Sequence, residues 1–181
     1  MADAFKSVEE PAPADPKENV ISPKNGNGTK QNPQKKIKFK VGMVISSKTV
    51  KYTIRRKIGD SRLGAVYEVF NERDAVFCMK IEYKNPELPD PKLGMEIAIL
   101  RHMRQTSVSP HFVEYIDRCA KPTYYFMVTS MVGPNLERLL DRRQGKMFSP
   151  RTAVAVTLQI VDALRELHQL GYVHRDIRPH N

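Results

Sequence analysis

The chain has 181 residues, 40% of them apolar, and 30 Lys and Arg against 20 Asp and Glu give a net charge of +10. That is room for one ordinary domain plus a tail, with enough apolar material for a buried core. The start has no basic-then-apolar leader, the nearest apolar run, Thr152 to Leu164, is interrupted by Gln159 and Asp162, and two cysteines are too few for a secreted disulfide scaffold. The expectation is a soluble intracellular protein, cytoplasmic with the nucleus also open to it, in which Cys78 and Cys119 are reduced thiols and no membrane partner is involved.

Residues 1–40 are rich in Pro, Lys, Asn and Gly and poor in large apolar groups, which reads as a disordered basic arm. Its densest charge is Lys35 to Lys40. No groove-reading motif accompanies the positive charge, so a solvated basic surface is expected and a nucleic-acid partner is not; polyanion binding through residues 17–40 is the rival. From Gly42 the texture changes. Tyr52 to Gly59 and Gly64 to Asn71 carry β-branched and aromatic residues, which predicts two strands joined by a Gly-bounded turn. Ala75 to Tyr83 is a third strand, with Lys80 set in its apolar run.

After a Pro-containing loop, Leu93, Ile97, Leu100 and then Met103 or Arg104 follow helical spacing on a segment that carries Glu96. His111 to Ala120 and Thr123 to Val132 read as two further strands, with Lys121 and Pro122 at the turn. Asn135 to Gln144 reads as a short amphipathic helix that Gly145 ends. A longer helix opens with Ser149 as cap and Pro150 in first position, runs through Val154, Leu158, Val161, Leu164 or Arg165, and His168, and stops at Gly171. The order is five strands with one inserted helix, then helices, which is an α+β class.

The turn between Gly59 and Gly64 would let backbone N–H groups approach a phosphate, with Val66 beyond it able to cover an apolar ring. By itself this equally fits an ordinary hairpin. Lys80 in a half-buried strand needs an anionic partner, and Glu96 is the nearest candidate; an exposed lysine beside an unrelated glutamate is equally open. The segment His174 to Asn181 is more specific. Asp176 and Asn181 lie five apart in a Pro-containing loop, which suits a carboxylate taking a hydroxyl proton and an amide oxygen ligating a divalent cation, with Arg178 placing positive charge between them.

Together these segments resemble a eukaryotic protein kinase, and within it the casein-kinase-one group and its tau-tubulin kinase-like branch. The resemblance is carried by Lys57 to Val69 for the Gly-rich loop, Phe77 to Glu82 for the strand with the nucleotide lysine, and Leu93 to Leu100 for the helix glutamate. Met127 to Leu140 with its Gly133-Pro134-Asn135-Leu136, and Leu170 to Asn181, supply the hinge and the catalytic loop. It implies a kinase N-lobe and hinge over 41–132, a five-stranded antiparallel sheet plus one helix, followed over 133–181 by the first helices of an incomplete C-lobe.

The resemblance further implies a serine/threonine kinase that uses ATP and Mg2+ and acts on a protein substrate. Lys80 would contact the α and β phosphates and pair with Glu96; Asp176 would orient the substrate hydroxyl; Asn181 would ligate magnesium. Ile58, Gly59, Gly64, Val66 and Cys78 would surround the nucleotide, with Thr129 at the back of the adenine pocket and Ser130, Met131 and Val132 as hinge. Three positions depart from the family pattern: Ser61 for the middle glycine of the loop, Cys78 for a small alanine, and Arg178 for a lysine, where a planar fork and a compact ammonium are not equivalent.

The 181 residues contain no Asp-Phe-Gly segment, the source of a kinase's second metal-binding carboxylate. The expectation is therefore an incomplete kinase domain that binds nucleotide weakly and turns over little by itself, with a non-catalytic, kinase-like binding module as the alternative.

Overall fold

In the computed structural model, residues 37–61, 63–85, 92–106 and 109–181 are described. The chain runs β1 (Val44–Ser46), β2 (Lys51–Ser61), β3 (Gly64–Asn71), β4 (Val76–Tyr83), α1 (Lys92–Thr106), β5 (Tyr115–Ala120), β6 (Tyr124–Ser130), α2 (Leu136–Asp141), a 3-10 turn (Gln144–Lys146) and α3 (Pro150–Gln169). The strands form one antiparallel sheet in the order β1-β2-β3-β4-β6-β5. It has six strands rather than five. The addition, β1, is three residues long, too short to show the two-residue alternation that marks the others.

Alternation sorts the sheet into two faces. Ile54, Tyr67, Val69, Met79, Ile81, Phe126 and Val128 point to one side and form the main core. Each such side chain taken out of water contributes about 1.5–3 kcal/mol. Over this face lie Ile37 and Phe39: the Phe39 ring meets Tyr124 edge-on at 5.1 Å and Tyr67 at 5.8 Å, and the Tyr83 hydroxyl donates to the Ile37 carbonyl at 2.6 Å. The arm expected over residues 1–40 lies outside the described residues except for 37–40, of which Ile37 and Phe39 pack against the sheet while Lys38 and Lys40 are exposed. The opposite face receives α1 through Leu93, Ile97 and Leu100, which pack with Met127.

The helical part follows its local signals at the ends and departs from them in the middle. Ser149 Oγ accepts the Thr152 N–H at 3.2 Å with Pro150 behind it. Gly171, at φ +80°, closes α3 with Gly171 N–H on His168 O and Tyr172 N–H on Leu167 O, a pairing that needs the left-handed residue. The helix expected over Asn135 to Gln144 stops at Asp141, and Gly145, at φ +78°, sits inside the following 3-10 turn. On α3 the expected apolar stripe of Val154, Leu158 and Val161 is exposed, and Leu167 is the buried residue. No helix among the described residues is long and apolar enough to cross a membrane.

Two contacts tie α3 and its exit to the sheet side. The Tyr172 ring meets His102 of α1 edge-on at 6.1 Å, and His111 Nδ1 lies 2.9 Å from Glu166 Oε1. Hydrogen bonds from the Ser109 hydroxyl, then from His111, hold the Glu166 carboxyl below its ordinary value. A group whose folded value is lowered stabilises the fold above its unfolded value and loses that contribution as pH falls through the folded one. Urea denaturation from about pH 6 down to about pH 3 is therefore expected to show the stability gap between the native chain and Glu166→Gln shrinking with acid. A gap that stays constant would show that the charge of Glu166 contributes nothing.

Candidate functional site

The face of the sheet that receives α1 also collects the expected nucleotide residues. Register places Gly59 opposite Val66, Val66 opposite Lys80, and Cys78 opposite Thr129. Directly paired residues of an antiparallel sheet share a face, so Gly59, Val66, Cys78, Lys80 and Thr129 form one patch across four strands. Ile58 sits in the irregularity between Lys57 and Gly59, half-buried beside it.

Lys80 Nζ is paired with Glu96 Oε2. The two side chains retain 33% and 41% exposure, so solvent screening leaves the pair worth at most about 1 kcal/mol. Its consequence is geometric: an ammonium with three donors, one engaged, is held at a fixed place on the patch. Beside it, burial raises the Cys78 thiol above its ordinary value, opposed by the hydrogen bond with Thr129 and the positive charge of Lys80. Burial thereby favours the neutral thiol of Cys78 as a wall of the patch.

The two glycines of the hairpin do different things. A methyl group on Gly64 would lie 1.9 Å from the Ile81 carbonyl oxygen, so the pairing of β3 with β4 itself demands glycine there. A methyl group on Gly59 would meet Val66 Cβ at an ordinary 3.9 Å. Space above Gly59 is therefore left open by the protein, as a phosphate approaching the backbone requires. Ser61 pairs with Gly64 and ends β2, so the departure from a glycine there is absorbed by regular strand pairing.

At the expected hinge, Ser130 N–H is committed to the Glu114 carbonyl at 2.9 Å and its hydroxyl accepts the Glu114 N–H at 3.0 Å. Ser130 is thus spent on structure. Among the described residues no backbone hydrogen bond involves Met131, Val132 or Gly133, which leaves the Met131–Val132 edge able to read a flat heterocycle.

A second cluster stands in the loop after α3. Arg175 takes a left-handed turn at φ +65°, a conformation costing about 1–2 kcal/mol outside glycine. Beyond it Asn181 Nδ2 donates to Asp176 Oδ2 at 2.8 Å and to the Asp176 carbonyl at 2.9 Å, while Arg178 Nε lies 3.2 Å from Asp176 Oδ1. Both Asn181 donations come from nitrogen, so they leave its Oδ1 uncommitted, a hard oxygen donor of the type that magnesium takes. No group of three or more His, Cys, Asp or Glu among the described residues could cage a cation; phosphate oxygens and water would have to complete its shell. The donor set fits a cation that arrives on a nucleotide.

The loop is held from α2. Asn135 caps that helix, its Oδ1 accepting the Arg138 N–H at 2.9 Å, and its Nδ2 donates to the His180 carbonyl at 2.6 Å. Glu137 adds its N–H on the Pro179 carbonyl at 3.1 Å and its carboxylate 2.7 Å from His180 Nδ1. Of the expected residues, then, Lys80 and Glu96 come together, as do Asp176, Arg178 and Asn181, and no described hydrogen bond or ion pair joins the two clusters. Glu82, buried on the same face as Lys80, is not among the expected residues; its signal in the sequence is a second charge two residues on in an apolar strand.

The protein kinase domain family matches residues 52–181. Similar proteins include a sporulation protein kinase of Schizosaccharomyces pombe, 31% identical over 72% of this chain and 24% of its own. A putative serine/threonine-protein kinase of Caenorhabditis elegans is 27% identical over 79% of this chain and 40% of its own, and a probable one of Dictyostelium discoideum is 27% identical over 80% and 28%. The chain thus spans about a quarter to two fifths of the length of these relatives, 24%, 40% and 28% respectively.

The glycine contrast is testable. Gly64→Ala is expected to cost more than about 2 kcal/mol in urea denaturation, because strand backbone must move. Gly59→Ala should leave stability close to native and weaken binding of a nucleotide instead. Equal losses of stability in both variants would refute the division.

Proposed function

Because the chain belongs to the protein kinase domain family, matched over residues 52–181, we propose that it forms the ATP-binding part of a serine/threonine kinase that transfers the γ-phosphoryl group of MgATP to a protein hydroxyl. The observation that carries this is the Lys80–Glu96 pair on one sheet face with Gly59, Val66 and Thr129. Lys80 would bind the α and β phosphates, and the open backbone at Gly59 would take the rest. Met131 and Val132 would read adenine, with Ile58, Val66 and Cys78 against the ring. Asp176, held by Asn181 and Arg178, would accept the proton of the attacking hydroxyl as the bond to the γ-phosphorus forms and ADP leaves. Asn181 would hold Mg2+, which neutralises phosphate charge.

Within the family we place the chain with the casein-kinase-one group, tau-tubulin kinase-like branch. Support comes from Gly133-Pro134-Asn135-Leu136, where one asparagine both caps α2 and grips the loop carrying Asp176. The free thiols of Cys78 and Cys119 are in keeping with a reducing, intracellular site of action.

Titration of the 181-residue chain with a fluorescent ATP analogue is expected to give weak, Mg2+-dependent binding that falls about tenfold in Lys80→Ala, the loss of a hydrogen bond to a charged group. Where transfer to a protein acceptor occurs, Asp176→Asn should lower it about a hundredfold or more with binding kept. Absence of nucleotide binding, or binding indifferent to Lys80, would overturn the proposal; binding without any transfer would favour the kinase-like binding module.

A further inference from the structure

Along β4 the residues Cys78, Lys80 and Glu82 alternate onto the face that receives α1, and Glu82 is only 7% exposed. A buried carboxylate needs a cation or several hydrogen-bond donors. Glu82 takes the second course. Its Oε1 accepts the Lys92 N–H at 3.0 Å and its Oε2 accepts the Leu93 N–H at 2.8 Å. These are the first two residues of α1, whose opening turn carries no acidic side chain. A helix begins with N–H groups that have no partner within it and with the positive end of its dipole, so both oxygens of Glu82 meet what an anion prefers. Leu93, fully buried beside it, fixes the same turn by packing.

One helical turn onward is Glu96, and two strand residues back from Glu82 is Lys80, to which Glu96 is paired. The two spans match: two residues of strand advance about 6.6 Å and three to four residues of helix about 4.5–6 Å. Glu82 to the helix start and Lys80 to Glu96 are therefore two rungs between one strand and one helix. A helix displaced along its axis would break both rungs together.

We propose that Glu82 is a positioning residue that fixes the height of α1 against the sheet, so that the Lys80–Glu96 pair is the resting arrangement of this domain and needs no partner protein to form it. Its consequence for ATP rests on the proposed role of Lys80; the frame itself does not. Helix placement is set by a strand carboxylate two residues from the lysine it serves.

The test uses the 181-residue chain without nucleotide. Acetylation of Lys80 by an amine-reactive reagent is followed by peptide mass spectrometry, with Lys51 and Lys146 as references, since each has its own surface ion pair. Glu96→Gln is expected to speed Lys80 acetylation about three- to fivefold, the scale of a partly exposed ion pair. Glu82→Ala should speed it equally, the double variant should add nothing further, and Glu82→Gln, which keeps the volume and one acceptor oxygen, should fall between. A Lys80 rate unchanged in Glu82→Ala, effects that multiply in the double variant, or a rise shared by Lys51 and Lys146 would each overturn the proposal. A chain that binds no ATP still decides it, because the readout is the pairing and not the nucleotide.

Discussion

Strand β4 carries two demands that a single surface could not meet, and its pleat separates them. Met79 and Ile81 sit at 0% and 1% exposure in the main core, while Cys78, Lys80 and Glu82 lie between them in sequence and on the other face in space. Two central strands flank β4, so its backbone is hydrogen-bonded on both sides and its side chains cannot rotate out of register without unpairing β3 or β6. The polar face inherits the rigidity of the apolar one. A partly exposed ion pair contributes little stability; its orientation is borrowed from core residues that contribute several kcal/mol.

What was legible in the sequence follows from the range of the interactions involved. Strands β2, β3, β4 and β6 announce themselves by β-branched and aromatic alternation, and α3 by the Ser149-Pro150 start and the Gly171 stop, because those signals act within a few residues of chain. The Lys80–Glu96 pair could be anticipated only as one of two readings, since a lysine in a strand and a glutamate on a helix do not by themselves say that the helix lies over that face. A second charge two residues on from Lys80 marks Glu82 in the sequence but not what it caps: its partners are the N–H groups of Lys92 and Leu93, ten and eleven residues further along the chain. The periodicity of α3 gives a helix with an apolar stripe, but periodicity cannot say that Leu167 is the buried residue and that Val154, Leu158 and Val161 are exposed.

The same reasoning bears on the loop after α3. Asp176, Arg178 and Asn181 are all exposed, so no packing holds them; hydrogen bonds alone must fix a geometry that includes a left-handed Arg175. The bonds of Asn181 and Arg178 to Asp176 lie within the loop, and the loop is tied in turn to the start of α2, a six-residue helix too short to be stable by itself. Asn135 resolves this by acting in two directions, its oxygen ordering the first turn of α2 and its nitrogen ordering the His180 carbonyl, while Glu137 in that turn supplies the second and third ties. Helix and loop thus stabilise each other. Pro134 alone separates Asn135 from the Met131–Gly133 segment, so the edge proposed to read adenine leads into the residue that ties down the loop carrying Asp176. The two bonds of Asn135 therefore tie the exit of that segment, the start of α2 and the loop carrying Asp176 at one side chain.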